Sequence, residues 1–156
     1  MPLEALRSQL NGGELRRVWL IGSTGEQGSA RQAEAFRALA ERYLGKQLDE
    51  VSFPDLSELR DLAEDHAEPA LPPNVLDDGV DHSNIAQVAR LVDRIRHYCR
   101  LRHKADDLVV DVTGMTVTAS IGAVIACLGQ GQSFLYTSTQ DYRVQEYDMA
   151  YEANEL

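Results

Sequence analysis

Cysteine is scarce in this chain. Its two cysteines, Cys99 and Cys127, have no CxxC spacing and no matching histidine cluster, so neither a zinc site nor a disulfide framework is indicated. Long hydrophobic runs are also lacking. The best candidate, residues 119–128, is about half of the roughly 20 apolar residues that a bilayer-spanning helix needs, and reads as a buried helix. The N-terminus lacks the basic-then-apolar layout of a signal peptide. A cytoplasmic protein with free thiols is the expectation. Basic side chains are in deficit, 15 Lys and Arg against 25 Asp and Glu, for a formal net charge of −10. That balance argues against general binding along duplex DNA or RNA, where Lys and Arg supply most of the affinity.

What is present is ordinary in amount and specific in arrangement. A chain of 156 residues, 44% hydrophobic and 26% charged, is expected to form one domain over 1–156, with a polar tail from about 149. The charge is uneven. Between Asp49 and Asp81 there are eleven acidic residues and one basic, Arg60; between Arg90 and Lys104 there are six basic residues and one acidic, Asp93. Both stretches read as solvated helix faces, and arginine pairing with the acidic segment or across a subunit interface is the alternative.

Residues 15–21 read as a first buried strand, because Val18, Trp19, Leu20 and Ile21 form a continuous apolar run. Residues 29–44 carry helical spacing in Ala33, Phe36, Ala40 and Tyr43, with Gly45 as C-cap. Residues 48–53 suit a short strand. An acidic helix follows to about 67, capped by Asp55 or Ser57. Residues 68–79 read as a loop around Pro69, Pro72 and Pro73, with a short strand near Val75. A long amphipathic helix spans 83–103, capped by Asp81 or Ser83. A strand at 107–112, a helix at 115–128, a strand at 133–138 and an edge strand at 142–147 complete the pattern. Strands separated by helices predict an α/β fold, Rossmann-like, with a mainly parallel sheet and helices on both faces.

Two strand-to-helix turns stand out. The stretch Asp111-Val-Thr-Gly-Met-Thr-Val117 runs from a buried strand into an apolar helix and places threonine hydroxyls and backbone N–H groups at a helix N-terminus. Such a place suits a phosphate, because first-turn amides lack intrahelical partners and the helix dipole is positive there. The other is Gly22-Ser-Thr-Gly-Glu-Gln-Gly28, a G-x-x-G-x-x-G in the setting of a dinucleotide fingerprint, with Asp49 or Glu50 at the distance of a ribose contact. An NAD(P)-binding Rossmann protein follows from it as one reading, although no Tyr-x-x-x-Lys pair is present. A purely structural turn is another.

Together the two turns resemble the CARF family, the CRISPR-associated Rossmann-fold sensors of cyclic oligoadenylates. Asp111-Val-Thr-Gly-Met-Thr-Val is similar to that family's Asp-x-Thr-Gly-Gly-Thr-Lys pattern. The small-residue helix after it, and Phe134-Leu-Tyr-Thr, match the layout that follows. Ile21-Gly-Ser-Thr-Gly-Glu-Gln-Gly corresponds to the family's polar loop after strand one. The resemblance covers most of the chain in layout and about fifteen residues in motif. Met115 stands where the family commonly has a second glycine. Val117 stands where it commonly has a lysine implicated in cleaving the ligand.

The resemblance implies a homodimer that binds a cyclic oligoadenylate, most simply cyclic tetra-adenylate, and relays binding to an effector in type III CRISPR antiviral defence. The departure at Val117 implies a sensor and not an enzyme, with a ring nuclease as the alternative. No cofactor beyond the ring and no catalytic or metal-binding residue is expected. The ring's two-fold symmetry suits an isologous dimer. Implied ligand-binding residues are Thr113, Gly114, Met115 and Thr116, then Ser23, Thr24, Gly25, Glu26 and Gln27, with Ser83 and Asn84 from the start of the long helix. Helix capping competes with ligand contact for Ser83, Asn84 and each threonine. Asp111 is expected to orient its turn. The chain is expected to be either an isolated cytoplasmic sensor or the soluble part of a longer effector tethered at the inner membrane.

Overall fold

The computed structural model describes residues 2–12, 15–62, 71–72, 74–104, 108–128, 132–138 and 140–148. Packing divides the chain into two compact units, Leu6–His82 and Met1–Ala5 with Ser83–Leu156. The fold is α/β. A helix that the sequence reading did not assign, α1 (Pro2–Gly12), opens the chain with proline at the first helical position, where no N–H bond is lost.

In the Leu6–His82 unit, the run at 15–21, expected as a buried strand, makes no strand ladder among the described residues, and Val18–Ile21 are half-buried. It pairs in parallel with one residue, Ser52, through Val18 N–H to the Ser52 carbonyl (2.9 Å) and Ser52 N–H to the Arg16 carbonyl (3.0 Å). The strand expected at 48–53 is reduced to that rung. Leu48 is buried at the end of an otherwise exposed 3-10 turn, Gly45–Leu48, and Pro54 has no N–H to continue a ladder. A 3-10 turn at Ser29–Gln32 leads into α2 (Ala33–Leu44), which Gly45 caps at φ 52° by donating to the Glu41 carbonyl. The acidic helix is a 3-10 helix, Leu56–Asp61, and Asp55 caps it by accepting from Ser57 N–H at 2.8 Å. The expected continuation to 67 lies outside the described residues. The expected strand near Val75 is instead one helical turn, α3 (Val75–Asp78), because the amides of Asp77 and Asp78 both donate to the Asn74 carbonyl.

In the other unit, α4 (Ile85–His103) buries Val88, Leu91, Val92 and Ile95. Its N-cap is Asn84, whose side chain accepts from Gln87 N–H at 3.1 Å; neither Asp81 nor Ser83 takes that place. Lys104 ends it in the left-handed region, and Arg100, Arg102 and His103 suit the negative end of its dipole. Strand β1 (Val109–Asp111) leads through α5 (Val117–Cys127) to β2 (Ser133–Thr137), which lies parallel to β1, and β3 (Val144–Asp148) returns antiparallel to β2. Among the described residues this is the one sheet, in the order β1-β2-β3.

Helix α5 packs on α4, and its buried residues include Ala119, Gly122, Ala123 and Ala126. A Cβ built on Gly122 would lie 2.6 Å from the Ile85 carbonyl oxygen, so glycine lets the two helix backbones approach. The expectation that 119–128 is a buried helix holds for that face only. On the opposite face Val117, Ile121 and Ile125 are 78%, 45% and 47% exposed. Among the described residues, no helix is long and apolar enough to cross a membrane.

Candidate functional site at the start of α5

Strand β1 delivers Asp111 to the turn, and the Asp111 carboxylate accepts the Thr113 N–H at 2.9 Å. Burial pushes the Asp111 carboxyl above its ordinary value, and the hydrogen bonds from Thr113 oppose the shift. Met115 N–H closes the turn on the Val112 carbonyl at 3.3 Å, with Gly114 between them at φ 78°. Thr116 then caps α5: its hydroxyl accepts the Ala119 N–H at 3.2 Å, and its carbonyl accepts the Ser120 N–H at 2.9 Å. By helix geometry the amides of Val117 and Thr118 are left without intrahelical acceptors at the positive end of the dipole.

Thr113 has a different task. Its side chain is buried, and its hydroxyl accepts the Thr137 N–H at 2.7 Å, tying the turn to the end of β2. It acts as a brace within the fold, while Gly114 and Thr116 are exposed and Met115 is half-buried.

An apolar groove of 480 Å³ adjoins the turn. The turn contributes Gly114 and Met115 to its lining, α5 contributes Val117, Ile121 and Ile125, and β2 contributes Phe134 and Tyr136. Every residue lining it is uncharged. Phe134 also stacks on Tyr147 of β3, its cross-strand partner, with ring centroids 5.0 Å apart. Of the residues expected from the sequence, Gly114 and Met115 alone line this groove. Ile121, Ile125, Phe134 and Tyr136 were not foreseen as site residues. The signal available for Ile121 and Ile125 was a largely apolar helix, which burial on one side does not explain; Phe134 and Tyr136 lie on β2 and carried no such signal.

The Gly22–Gly28 turn belongs to the other unit and is built by its own bonds. Ser23 N–H donates to the Ser29 hydroxyl (2.9 Å) and Ser29 N–H donates to the Ser23 hydroxyl (3.0 Å), so the two serines close the loop reciprocally. Thr24 N–H and Val80 N–H complete a parallel bridge, donating to the Val80 and Gly22 carbonyls at 2.9 Å each. A Cβ on Gly28 would lie 2.1 Å from the Ser23 carbonyl oxygen, which accounts for that glycine by close approach. Thr24, Gly25, Glu26 and Gln27 are exposed. At the start of α4, Asn84 is occupied as the cap and Ser83 is exposed.

Neither a protein-family model nor a curated protein matches the chain.

Proposed function

We propose that this chain is a CARF-like, Rossmann-like sensor that binds a cyclic oligoadenylate, most simply cyclic tetra-adenylate, as a homodimer, without cleaving it. The observation that carries the reading is the β1–α5 junction. At the carboxyl end of a parallel strand pair, a glycine turn braced by Asp111 and Thr113 presents the open end of α5 and the exposed Gly114 and Thr116. In open α/β sheets ligands sit beyond the carboxyl ends of the strands, and a helix N-terminus supplies N–H groups and positive potential to a phosphate. The exposed Thr24–Gln27 loop of the other unit is a separate candidate contact.

The side chain at the first helical position of α5 is Val117, which offers neither a cation nor a proton-transfer group. That supports the reading of binding without phosphodiester cleavage, with the signal passed to an effector. Thermal shift with cyclic tri-, tetra- and hexa-adenylate and with NADPH, followed by chromatography of the ligand, tests this. Stabilisation by one ring size with the ring recovered intact is expected. Stabilisation by NADPH alone overturns the sensor, and linear products overturn the non-enzymatic reading.

A further inference from the structure

The cations of α4 are a feature of the chain that the proposed ring does not use. Val88, Leu91, Val92 and Ile95 form the buried row of this helix. On the face turned away from that row, helical spacing aligns Arg90, Arg94, His97 and Leu101, with Arg100 and Lys104 beside them. His97, Arg100, Leu101 and Lys104 are exposed, Leu101 by 62%. Asp93 is the one acidic residue of α4, and Arg96 holds its carboxylate at 2.6 Å. The helix dipole explains part of this pattern. It favours cations in the last turn, and falls off before His97, Arg94 and Arg90. The sequence past the helix does not cancel the excess. From Arg90 to Asp107 basic residues outnumber acidic ones six to three, in a chain of net charge −10; Asp106 and Asp107 lie outside the described residues.

The composition of the face selects its partner. A helix that lies in a bilayer surface buries several large apolar residues, and this face has Leu101 alone. Nucleic acid is a long polyanion, and the net charge of −10 opposes it wherever it runs past the helix. A short acidic segment meets cations over the roughly 20 Å from Arg90 to Lys104 and ends where the face ends. With an apolar residue among its carboxylates, such a segment also covers Leu101. Charge complementarity then supplies specificity and a fast encounter.

We infer that the Arg90–Lys104 face of α4 is a docking surface for an acidic segment of a partner protein, with Leu101 as its apolar contact. The inference rests on the relay to an effector in the proposed function, the effector being the protein that carries the segment. It uses none of the residues assigned to the ring.

The test is fluorescence anisotropy of a labelled peptide, Glu-Glu-Leu-Glu-Glu-Leu-Glu-Glu, with the ligand-free full chain. The same peptide with glutamine for glutamate, an oligouridylate and phosphatidylserine vesicles are run beside it. The acidic peptide is expected to bind, more weakly as salt is added, and the glutamine peptide is not. Arg100→Glu combined with Lys104→Glu should weaken binding by roughly tenfold or more, since two exposed pairs turn repulsive. Leu101→Ser should weaken it by roughly fivefold without changing its salt dependence. Arg42→Glu, an exposed cation on α2, should leave it unchanged. All three variants alter exposed side chains, and circular-dichroism spectra like that of wild type are expected. Acidic-peptide binding no tighter than that of the glutamine peptide, or unchanged by the double variant, overturns the docking surface. Tighter binding of the oligouridylate or the vesicles, lost in the double variant, overturns the acidic protein partner in favour of that polyanion. Salt-reversible self-association that the double variant abolishes makes the occupant the acidic 49–81 segment of a second copy, and overturns a separate partner. Peptide binding as expected without ring binding overturns the sensor alone, and ring binding without peptide binding overturns the docking surface alone.

Discussion

The Thr137 amide donates to the Thr113 hydroxyl at 2.7 Å, so the last residue of β2 is bonded to the turn that opens α5. Thr137 is completely buried, and its own hydroxyl has no hydrogen-bond partner among the described residues. The two threonines therefore have opposite consequences when each loses its hydroxyl.

Thr113→Val removes the acceptor and leaves a buried N–H unsatisfied, which costs about 1–3 kcal/mol. Thr137→Val removes an orphaned hydroxyl while keeping shape, and is expected to be neutral or stabilising. Urea unfolding of both variants checks the pair. Equal destabilisation by the two would mean that the Thr113–Thr137 bond does not brace the turn.

Much of the Ser83–Leu156 unit was legible in the sequence, because each element carries its own punctuation. Val109 and Val110 end at Asp111, Gly114 marks the turn, Thr116 caps, and β2 follows glycines at 129 and 131. In the other unit Gly45 and Asp55, one of the two caps expected there, were read correctly, but the strands expected at 15–21 and 48–53 were not. Apolar runs such as Val18–Ile21, which is only half-buried, do not report pairing, and ladder formation depends on partners distant in sequence. Leu48 and Val75 were drawn into short helical turns by local backbone bonds that composition does not reveal. The candidate site divides in the same way. The turn was visible as a motif, whereas the open face of α5 was read as buried, since an apolar period does not say what covers it.

Asp111 makes stability depend on pH in a direction fixed by its shift. Its folded-state pKa is raised, first by burial, from an ordinary value of 3.8. The folded state thus holds the proton more tightly than the unfolded chain. The contribution is fully present below 3.8 and is lost as pH rises through the raised folded value. Asp111→Asn keeps an oxygen for the Thr113 N–H and removes the buried charge. It should raise the melting temperature at neutral pH relative to wild type, with the difference closing as the pH falls below 3.8. A gap independent of pH would assign the change to packing. Asp111→Ala, which loses the acceptor, should not share the gain.

Gly122 sets the spacing of α4 and α5. Its absent Cβ would meet the Ile85 carbonyl oxygen at 2.6 Å and the Val88 Cβ at 3.1 Å, and a carbonyl of a packed helix cannot swing aside. Alanine is normally favoured over glycine inside a helix. Here Gly122→Ala is expected to destabilise by about 1–3 kcal/mol, the usual cost of overpacking. Serine-to-alanine change at Ser120, on the groove side of the same helix, should fall within about 0.5 kcal/mol of wild type. Denaturant midpoints of the two variants compare the faces directly.

Thr116 separates capping from ligand binding. Thr116→Ala removes the bond to the Ala119 N–H and should cost about 1 kcal/mol of stability, whether or not a ligand binds. Thr116→Asp is the discriminating change. Aspartate caps at least as well as threonine and suits the helix dipole, so stability should hold or rise. The same carboxylate would stand at the place proposed for a ring phosphate. Affinity for cyclic tetra-adenylate should therefore fall by roughly tenfold or more, equivalent to about 1.4 kcal/mol, with the loss shrinking as salt is added. Titration calorimetry at two ionic strengths, beside a urea melt of the same variant, reads both quantities. A well-folded Thr116→Asp protein that binds the ring as tightly as wild type would place the phosphates elsewhere and reduce Thr116 to a cap.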